Sequence, residues 1–135
     1  MRYMLDTNII SYLKNKRSPE VAARFASHDP SELCISSITL SELVYGAYKS
    51  SSPEHNMRQI AAVAARIATL PFTSVAAYDA GQIRAELERL GQVIGAYDMQ
   101  IAAHARSAGL VLVTHNTSEF SRVPNLQIED WTVLS

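Results

Sequence analysis

The sequence predicts an α/β fold in which helices cover both faces of a central parallel sheet of four to five short strands. One observation behind this prediction is that short apolar runs alternate along the chain with segments of helical periodicity. Another is the run at residues 110–113, which is apolar at every position, as is typical of a parallel strand covered on both faces. The length of 135 residues, with 47% hydrophobic and 19% charged residues, suits a single globular domain.

The first part of the chain predicts strands and helices in alternation. The apolar residues Tyr3–Leu5 predict the first strand, and a helix follows over residues 9–15. A second helix is predicted over residues 20–27 and is closed by turn-forming residues at 29–31. The next strand covers residues 33–35. The helix after it has an apolar face with the spacing i, i+3, i+4, i+7, which consists of Leu40, Leu43, Val44 and Ala47.

The second part is predicted to be mainly helical, with strands near its end. A long alanine-rich helix is predicted over residues 53–70, because proline suits the first turn of a helix. Two further helices, over Ser74–Leu90 and residues 97–107, each end near a glycine. After the buried strand described above, a last short strand is predicted near residues 126–128.

The composition excludes several classes of protein. The single cysteine, Cys34, excludes an internal disulfide and a cysteine-based zinc site. Lys and Arg total 12 against 13 Asp and Glu, a formal charge of −1 that argues against capturing nucleic acid by bulk positive charge. No apolar run approaches the roughly 18 to 20 residues of a membrane span, and Asp6 interrupts the amino terminus before a signal peptide could form. We therefore expect a cytoplasmic protein without a membrane partner.

Four acidic residues are predicted at one edge of the sheet, near the ends of its strands: Asp6, Glu42, Asp98 and Glu119. The ligand sites of parallel sheets lie at this edge, beyond the carboxyl ends of the strands. Carboxylates brought close together repel each other and raise each other's pKa unless a cation lies among them. Oxygen ligands suit Mg²⁺ or Mn²⁺, which can orient a water for in-line cleavage of a phosphodiester. The four acids are therefore candidate metal ligands and catalytic groups.

Each acid also has a local explanation. Asp6 is placed to cap the following helix, and Thr39 and Glu42 have the spacing of a capping box. Asp98 suits the positive end of its helix whatever its function, and Glu119 alone resembles a surface acid. The functional interpretation depends on all four lying at the same edge.

The remaining polar residues give weaker indications. Lys14, Lys16 and Arg17 form the only basic cluster, at the end of the first predicted helix, and are candidates for contacts with substrate phosphates. Among the histidines, His104 is expected to be a partly buried helix residue, and only His115 is near the predicted site. The sequence has no G-x-S-x-G, G-x-G-x-x-G or Walker A motif, which disfavours a serine hydrolase, a dinucleotide-binding domain and a P-loop enzyme.

Four segments together resemble the successive motifs of PIN domains, and more narrowly of the VapC-type toxins of bacterial toxin–antitoxin pairs. They are residues 4–8 (MLDTN), 35–43 (ISSITLSEL), 97–103 (YDMQIAA) and 114–120 (THNTSEF). The resemblance implies a three-layer α/β/α PIN-like fold with residues 1–135 as a single nuclease domain. It also implies an endoribonuclease that depends on Mg²⁺ or Mn²⁺.

The resemblance assigns roles to the acids of the site. Asp6, Glu42 and Asp98 match the core acids of the family, and Asp6 and Asp98 are the expected direct metal ligands. Many relatives carry Asp in the last motif, whereas this chain has Asn116 and Glu119 there. We assign the fourth charge to Glu119 and the role of a hydrogen-bonding orienter to Asn116.

Thr7 and Thr114 match small hydroxyl residues that flank the site in relatives and would orient a carboxylate or a metal-bound water. Asn8, in the first motif, is a further implied supporting residue. The implied substrate is structured RNA, with tRNA and its anticodon stem-loop favoured. The implied partners are a second copy of the chain and a VapB-type antitoxin, through which alone the complex would bind promoter DNA. Two alternatives stay open: a non-catalytic, acid-lined interaction module, and a PIN-fold nuclease that acts on ribosomal RNA or DNA.

Overall fold

A computed structural model describes residues 1–133 and contains one five-stranded sheet in which every neighbouring pair is parallel. The strands are β1 (Tyr3–Leu5), β2 (Leu33–Ser36), β3 (Ala68–Leu70), β4 (Val111–Val113) and β5 (Ile128–Glu129). The helices are α1 (Thr7–Lys14), α2 (Pro19–Ser27), α3 (Ser37–Lys49), α4 (Pro53–Arg66), α5 (Ser74–Leu90), α6 (Ala96–Ser107) and α7 (Thr117–Phe120), with a 3₁₀ turn at Pro30–Glu32.

The strand order β3-β2-β1-β4-β5 places the first strand at the centre of the sheet. Tyr3 pairs with Leu33 on one side and with Val111 on the other. The chain therefore builds the sheet outwards from β1 in one direction and then returns to the other side of it. The point where the order reverses, between β1 and β4, is where sheets of this kind form a crevice.

Helices cover both faces, which confirms the three-layer α/β/α prediction. Because side chains alternate along a strand, Leu5 and Val113 join one buried core, beneath α1 to α4. Met4, Cys34 and Leu112 join the other, beneath α5 and α6. Burial of Cys34 raises the pKa of its thiol to about 12, so the thiol stays protonated and unreactive.

Most predicted helices lie where expected. α5 occupies Ser74–Leu90, as predicted, and Gly91 ends it in the left-handed conformation, with φ of 68°. No helix in residues 1–133 is long and apolar enough to cross a membrane.

The prediction of a helix over residues 53–70 is wrong at its end. The helix α4 stops at Arg66, and Ala68–Leu70 form β3, which pairs with β2 through Cys34 and Ala68. This strand lies at the sheet edge, where it is only partly buried, so it lacks the apolar run that marks an interior strand. The short helix α7 was not predicted either, and β5 begins at Ile128, where the predicted strand ends.

Candidate active site

Asp6 lies directly after β1 and is buried, with 4% of its surface exposed. Its Oδ1 atom accepts a hydrogen bond of 2.9 Å from the backbone N–H of Ile9, which caps α1. Its carboxylate is also hydrogen-bonded by the side chain of Thr114, at the end of β4. Asp6 thus both caps a helix and lies in the crevice between β1 and β4.

Glu42 projects from α3 towards the same crevice. The hydroxyl of Thr7 donates a hydrogen bond of 2.7 Å to Glu42 Oε1. The capping-box interpretation of Glu42 is wrong, because α3 begins at Ser37 and is capped by the hydroxyl of Ser36, which accepts from Ile38 N–H. Glu42 therefore lies beyond the first turn of the helix, and its carboxylate interacts with α1.

Asp98 and Glu119 lie together near Gly95, at the start of α6. Glu119 Oε1 accepts a hydrogen bond of 3.0 Å from the backbone N–H of Gly95. A Cβ atom added at Gly95 would lie 3.5 Å from Asp98 Oδ2 and 3.9 Å from Glu119 Oε1. The side-chain amide of Asn116 donates to the other oxygen of Glu119, and the backbone N–H of Asn116 donates to Thr114 Oγ1 at 3.0 Å. Neutral donors thus hold Glu119 beside Asp98.

The carboxylates influence each other electrostatically. Burial raises the pKa of Asp6 to about 6, against the opposing hydrogen bonds from Thr114 and Ile9, and the charge of Glu42 raises it further. Burial also raises the pKa of Asp98 to about 6, followed by the charges of Glu119, Glu42 and Asp6. The structure therefore brings the four predicted acids into one electrostatically coupled group, the carboxylate crevice.

None of these four acids forms an ion pair with a Lys, Arg or His within residues 1–133. Acids elsewhere in that part of the chain do, as in the pairs Arg2–Glu32, Arg24–Glu129, Arg84–Glu88, Arg89–Glu86 and Arg106–Asp79. In the same residues, no group of three or more His, Cys, Asp or Glu side chains is arranged so that it could hold a metal ion. The carboxylate crevice is therefore a negative site without a basic partner among the described residues.

The three residues of the predicted basic cluster have different surroundings. Lys14 Nζ donates to side-chain oxygens of Asn56 and Gln59 on α4, at 3.3 and 3.4 Å, and so links α1 to α4. Lys16 and Arg17 are exposed, and the Arg17 guanidinium lies 5.4 Å from the centre of the Tyr12 ring. The supporting residue Asn8 is exposed on the first turn of α1.

Sequence reasoning missed two polar contacts near the crevice. His104 of α6 is buried, and its Nδ1 atom lies 2.8 Å from Ser36 Oγ, which ties the helix of Asp98 to the end of β2. Asp130 raises the pKa of Asp6 through its charge and lies 3.1 Å from Nδ1 of His115. Asp130 directly follows β5, so the strand-end rule that found the other acids could have found it too.

A groove of about 580 Å³ extends from the carboxylate crevice along α3 and α6. Its lining residues are Thr7, Ser41, Glu42, Tyr45 and Tyr97.

Comparison with known proteins assigns the chain to a family. The sequence profile of the PIN domain matches residues 3–126. The chain belongs to the PIN-domain family. A curated relative of this PIN domain, the tRNA(fMet)-specific endonuclease VapC of Shigella flexneri, is 47% identical over 132 residues, covering 98% of this chain and 99% of the relative.

Solved structures similar to this PIN domain include two complexes of the VapBC type. The DNA-bound VapBC of Salmonella typhimurium has a TM-score of 0.92 and 45% identity, covering 97% of this chain and 98% of its counterpart. VapBC2 of Rickettsia felis, bound to a DNA fragment from its promoter, has a TM-score of 0.91 and 38% identity, covering 97% and 99%. The VapC-type resemblance seen in the motifs is therefore confirmed over nearly the whole chain.

Proposed function

We propose that this PIN domain is a metal-dependent endoribonuclease and the toxin of a type II toxin–antitoxin pair. The observation that carries the proposal is the carboxylate crevice, in which burial and the neighbouring carboxylates raise the pKa of Asp6 and Asp98 and, within residues 1–133, none of the four acids pairs with a basic side chain. Holding such charges together costs free energy, and a bound cation offsets that cost. The names of close relatives, which include both endonuclease and ribonuclease, support the same activity.

The crevice fits Mg²⁺ or Mn²⁺ better than a soft metal, because its donors are carboxylate oxygens. Asp6 and Asp98 would bind the ion directly, with Glu42 and Glu119 as the further ligands. Mg²⁺ keeps several waters and is usually bound through only one or two protein carboxylates, so it does not require three protein side chains already gathered around it. When bound, the ion supplies positive charge that stabilises the phosphate oxygens during hydrolysis of the phosphodiester.

The other residues of the site hold the carboxylates in place. Ile9 N–H and Thr114 fix Asp6, Thr7 fixes Glu42, and Gly95 N–H and Asn116 fix Glu119. Each of these donors is neutral, so it orients a carboxylate without supplying a full positive charge. The attacking water and the scissile phosphate would therefore meet a rigid, negatively charged frame that works only with a cation present.

The substrate we propose is tRNA, and within tRNA the initiator species and its anticodon stem-loop. Support comes from relatives of Shigella flexneri and Salmonella typhimurium, both named tRNA(fMet)-specific endonucleases and 47% and 46% identical to this chain. Lys16 and Arg17 are exposed and remain available for backbone phosphates. Lys14, which binds α4, would contribute less.

The partners we propose are a second copy of the chain and a VapB-type antitoxin, with promoter DNA bound through the antitoxin. Similar solved structures are VapBC complexes, and two of them contain DNA. A basic side chain of the antitoxin placed among the four carboxylates would form a strong, charge-assisted contact and inhibit the enzyme.

Incubation of the purified protein with total bacterial tRNA tests the proposal. We expect discrete fragments in Mg²⁺ that are absent in EDTA and absent with Asp6→Ala, and their ends identify the tRNA and the bond. Glu88→Ala is the matched control, because Glu88 is an acid in an exposed ion pair on α5 and its loss should leave cleavage intact. Cleavage that survives both EDTA and Asp6→Ala would contradict a carboxylate-bound metal.

A further inference from the structure

Two exposed tyrosines border the carboxylate crevice. The side chains of Tyr45 on α3 and Tyr97 on α6 are large rings that remain 65% and 58% exposed. Both line the groove of about 580 Å³ that also includes Thr7 and Glu42. Tyr45 follows Glu42 by three positions and so shares a face of α3 with it, and Tyr97 lies at the start of α6, one position before Asp98. The two rings thus form an aromatic lining at the entrance to the crevice.

Aromatic rings beside the crevice would help an acidic site to bind RNA. The chain has a formal charge of −1, a total that already includes the four carboxylates of the crevice, and these carboxylates lie where they repel a phosphate backbone. Affinity must therefore come in part from contacts that do not depend on a large positive charge. Stacking of unpaired bases on aromatic side chains is such a contact, since every base has an aromatic face.

Lys49 adds a cation beside one of the rings. Its Nζ atom lies 5.6 Å from the centre of the Tyr45 ring. Glu42, Tyr45 and Lys49 are spaced i, i+3 and i+7 along α3, so they follow one face of the helix. From the crevice outwards, this face presents a metal-site acid, an aromatic ring and a cation. A nucleotide places its phosphate, base and next phosphate in a comparable order.

We propose that Tyr45 and Tyr97 form a base-stacking site that holds unpaired nucleotides of an RNA loop beside the scissile phosphate, with Lys49 contacting a neighbouring phosphate. The inference rests on the proposed ribonuclease function and adds how the substrate is positioned. It also accounts for the choice of a loop as the target, because bases within a duplex have no free face to offer to a side chain. The two tyrosines are positioning residues, since the bond-breaking groups are the carboxylates.

The test measures cleavage and binding of the initiator tRNA anticodon stem-loop. We expect Tyr45→Ala and Tyr97→Ala each to raise KM about tenfold, as loss of one stacked base predicts, with kcat changed by less than about threefold. Tyr45→Phe and Tyr97→Phe should restore KM, because they keep the ring. Tyr78→Ala is the matched control: this tyrosine is 85% exposed but lies on α5, outside the groove, and its loss should change nothing.

A second arm identifies the stacked bases. Affinity is measured in Ca²⁺, in place of Mg²⁺, for stem-loops in which single loop positions carry an abasic ribose. Removing the base that contacts Tyr45 should weaken binding to the native protein about tenfold, and should cause no further loss in Tyr45→Ala. Such non-additivity at one loop position for each ring is the expected result, and full additivity at every position would overturn the inference.

If the groove binds a protein instead of RNA, the same variants should give different results. If the alanine variants keep native KM and affinity but no longer bind a VapB-type partner, the rings serve protein docking and the inference is wrong. It is equally wrong if Tyr45→Ala changes the oligomeric state in sedimentation while the abasic pattern stays native. If the native protein cleaves the RNA and the variants match it, only this inference fails. If the native protein neither binds nor cleaves tRNA, the proposed substrate fails with it.

Discussion

Asp79 and Asp98 are aspartates on α5 and α6, two helices that pack together, yet their electrostatic surroundings are opposite. Asp79 Oδ2 accepts a hydrogen bond of 3.1 Å from Arg106 Nε, so its charge is balanced within the chain. Asp98 has no such partner within residues 1–133, and burial together with the charges of Glu119, Glu42 and Asp6 raises its pKa to about 6. Asp79 is an acid whose ion pair stabilises the fold, whereas Asp98 belongs to a group of acids that lowers the stability of the fold. Functional sites commonly differ from the rest of a protein in this way.

The largest expected effect is on cleavage. Asp98→Asn should reduce the cleavage rate by at least on the order of a thousandfold, because it removes a proposed metal ligand and a charge. Asp79→Asn should leave the rate within about threefold of the native value. Rates of tRNA cleavage under single-turnover conditions make the comparison. Equal losses in the two variants would mean that the charge distribution of the crevice has no special role in the reaction.

The next effect is on the pH dependence of stability without metal. The pKa of Asp6 is about 6 in the folded state against about 3.9 in an unfolded chain, so the folded state holds the proton more tightly. Below about pH 4 the group is protonated in both states and costs nothing. As pH rises towards and beyond 6, the folded protein should lose about 3 kcal/mol of its free energy of unfolding through this group.

Asp6→Asn should lack this component while keeping an oxygen to cap α1. Urea unfolding in EDTA at pH 4 and at pH 7.5 gives the free energy of unfolding of each protein. The change between the two pH values should be about 3 kcal/mol more unfavourable in the native protein than in the variant. An unchanged pH dependence in the variant would show that another group is responsible.

A slightly smaller effect is expected from metal binding. Mn²⁺ at about 100 times its dissociation constant should stabilise the native protein by about 2.7 kcal/mol. Asp79→Asn should show the same increment, whereas Asp98→Asn should show much less. Thermal unfolding with and without Mn²⁺ provides the values. A full increment in Asp98→Asn would place the ion outside the carboxylate crevice.

The smallest effect distinguishes the two candidates for the fourth position. Glu119→Gln should lower activity by about 10 to 100-fold, because it removes a charge close to Asp98. Asn116→Asp should cost less, since an oxygen remains at that position. Cleavage rates at several Mg²⁺ concentrations rank the variants. The reverse order would assign the fourth role to Asn116, with Glu119 as its orienter.

Sequence periodicity predicted the layers and most helix limits because these depend on local properties. The end of α5 follows from a glycine that adopts positive φ, which no tertiary contact needs to specify. β3 was missed for the opposite reason. Its three residues are only partly buried at the sheet edge and become a strand through pairing with β2, a contact between residues more than thirty positions apart.

The candidate site divides in the same way. The four acids could be predicted, because the carboxyl ends of parallel strands share one edge whatever the details of packing. The groups that hold them could not. The hydroxyl of Thr7 binds Glu42, 35 positions away, and the N–H of Gly95 binds Glu119, 24 positions away. Neither contact can be predicted from the residues next to it in the sequence. The buried contact of His104 with Ser36, 68 positions away, is of the same kind.

The ribosome makes β1 first, but this strand acquires its second neighbour late. It pairs with β2 through residues 33 and 34, and with β4 only through residues 111–113. Until those residues are available to pair with it, the strand that carries Asp6 keeps an open edge, and Glu119 lies later still in the chain. A nascent chain that ends before residue 119 therefore lacks one of the four carboxylates. The proposed cleavage of tRNA would therefore begin only after nearly the whole domain has been made and β4 has paired with β1.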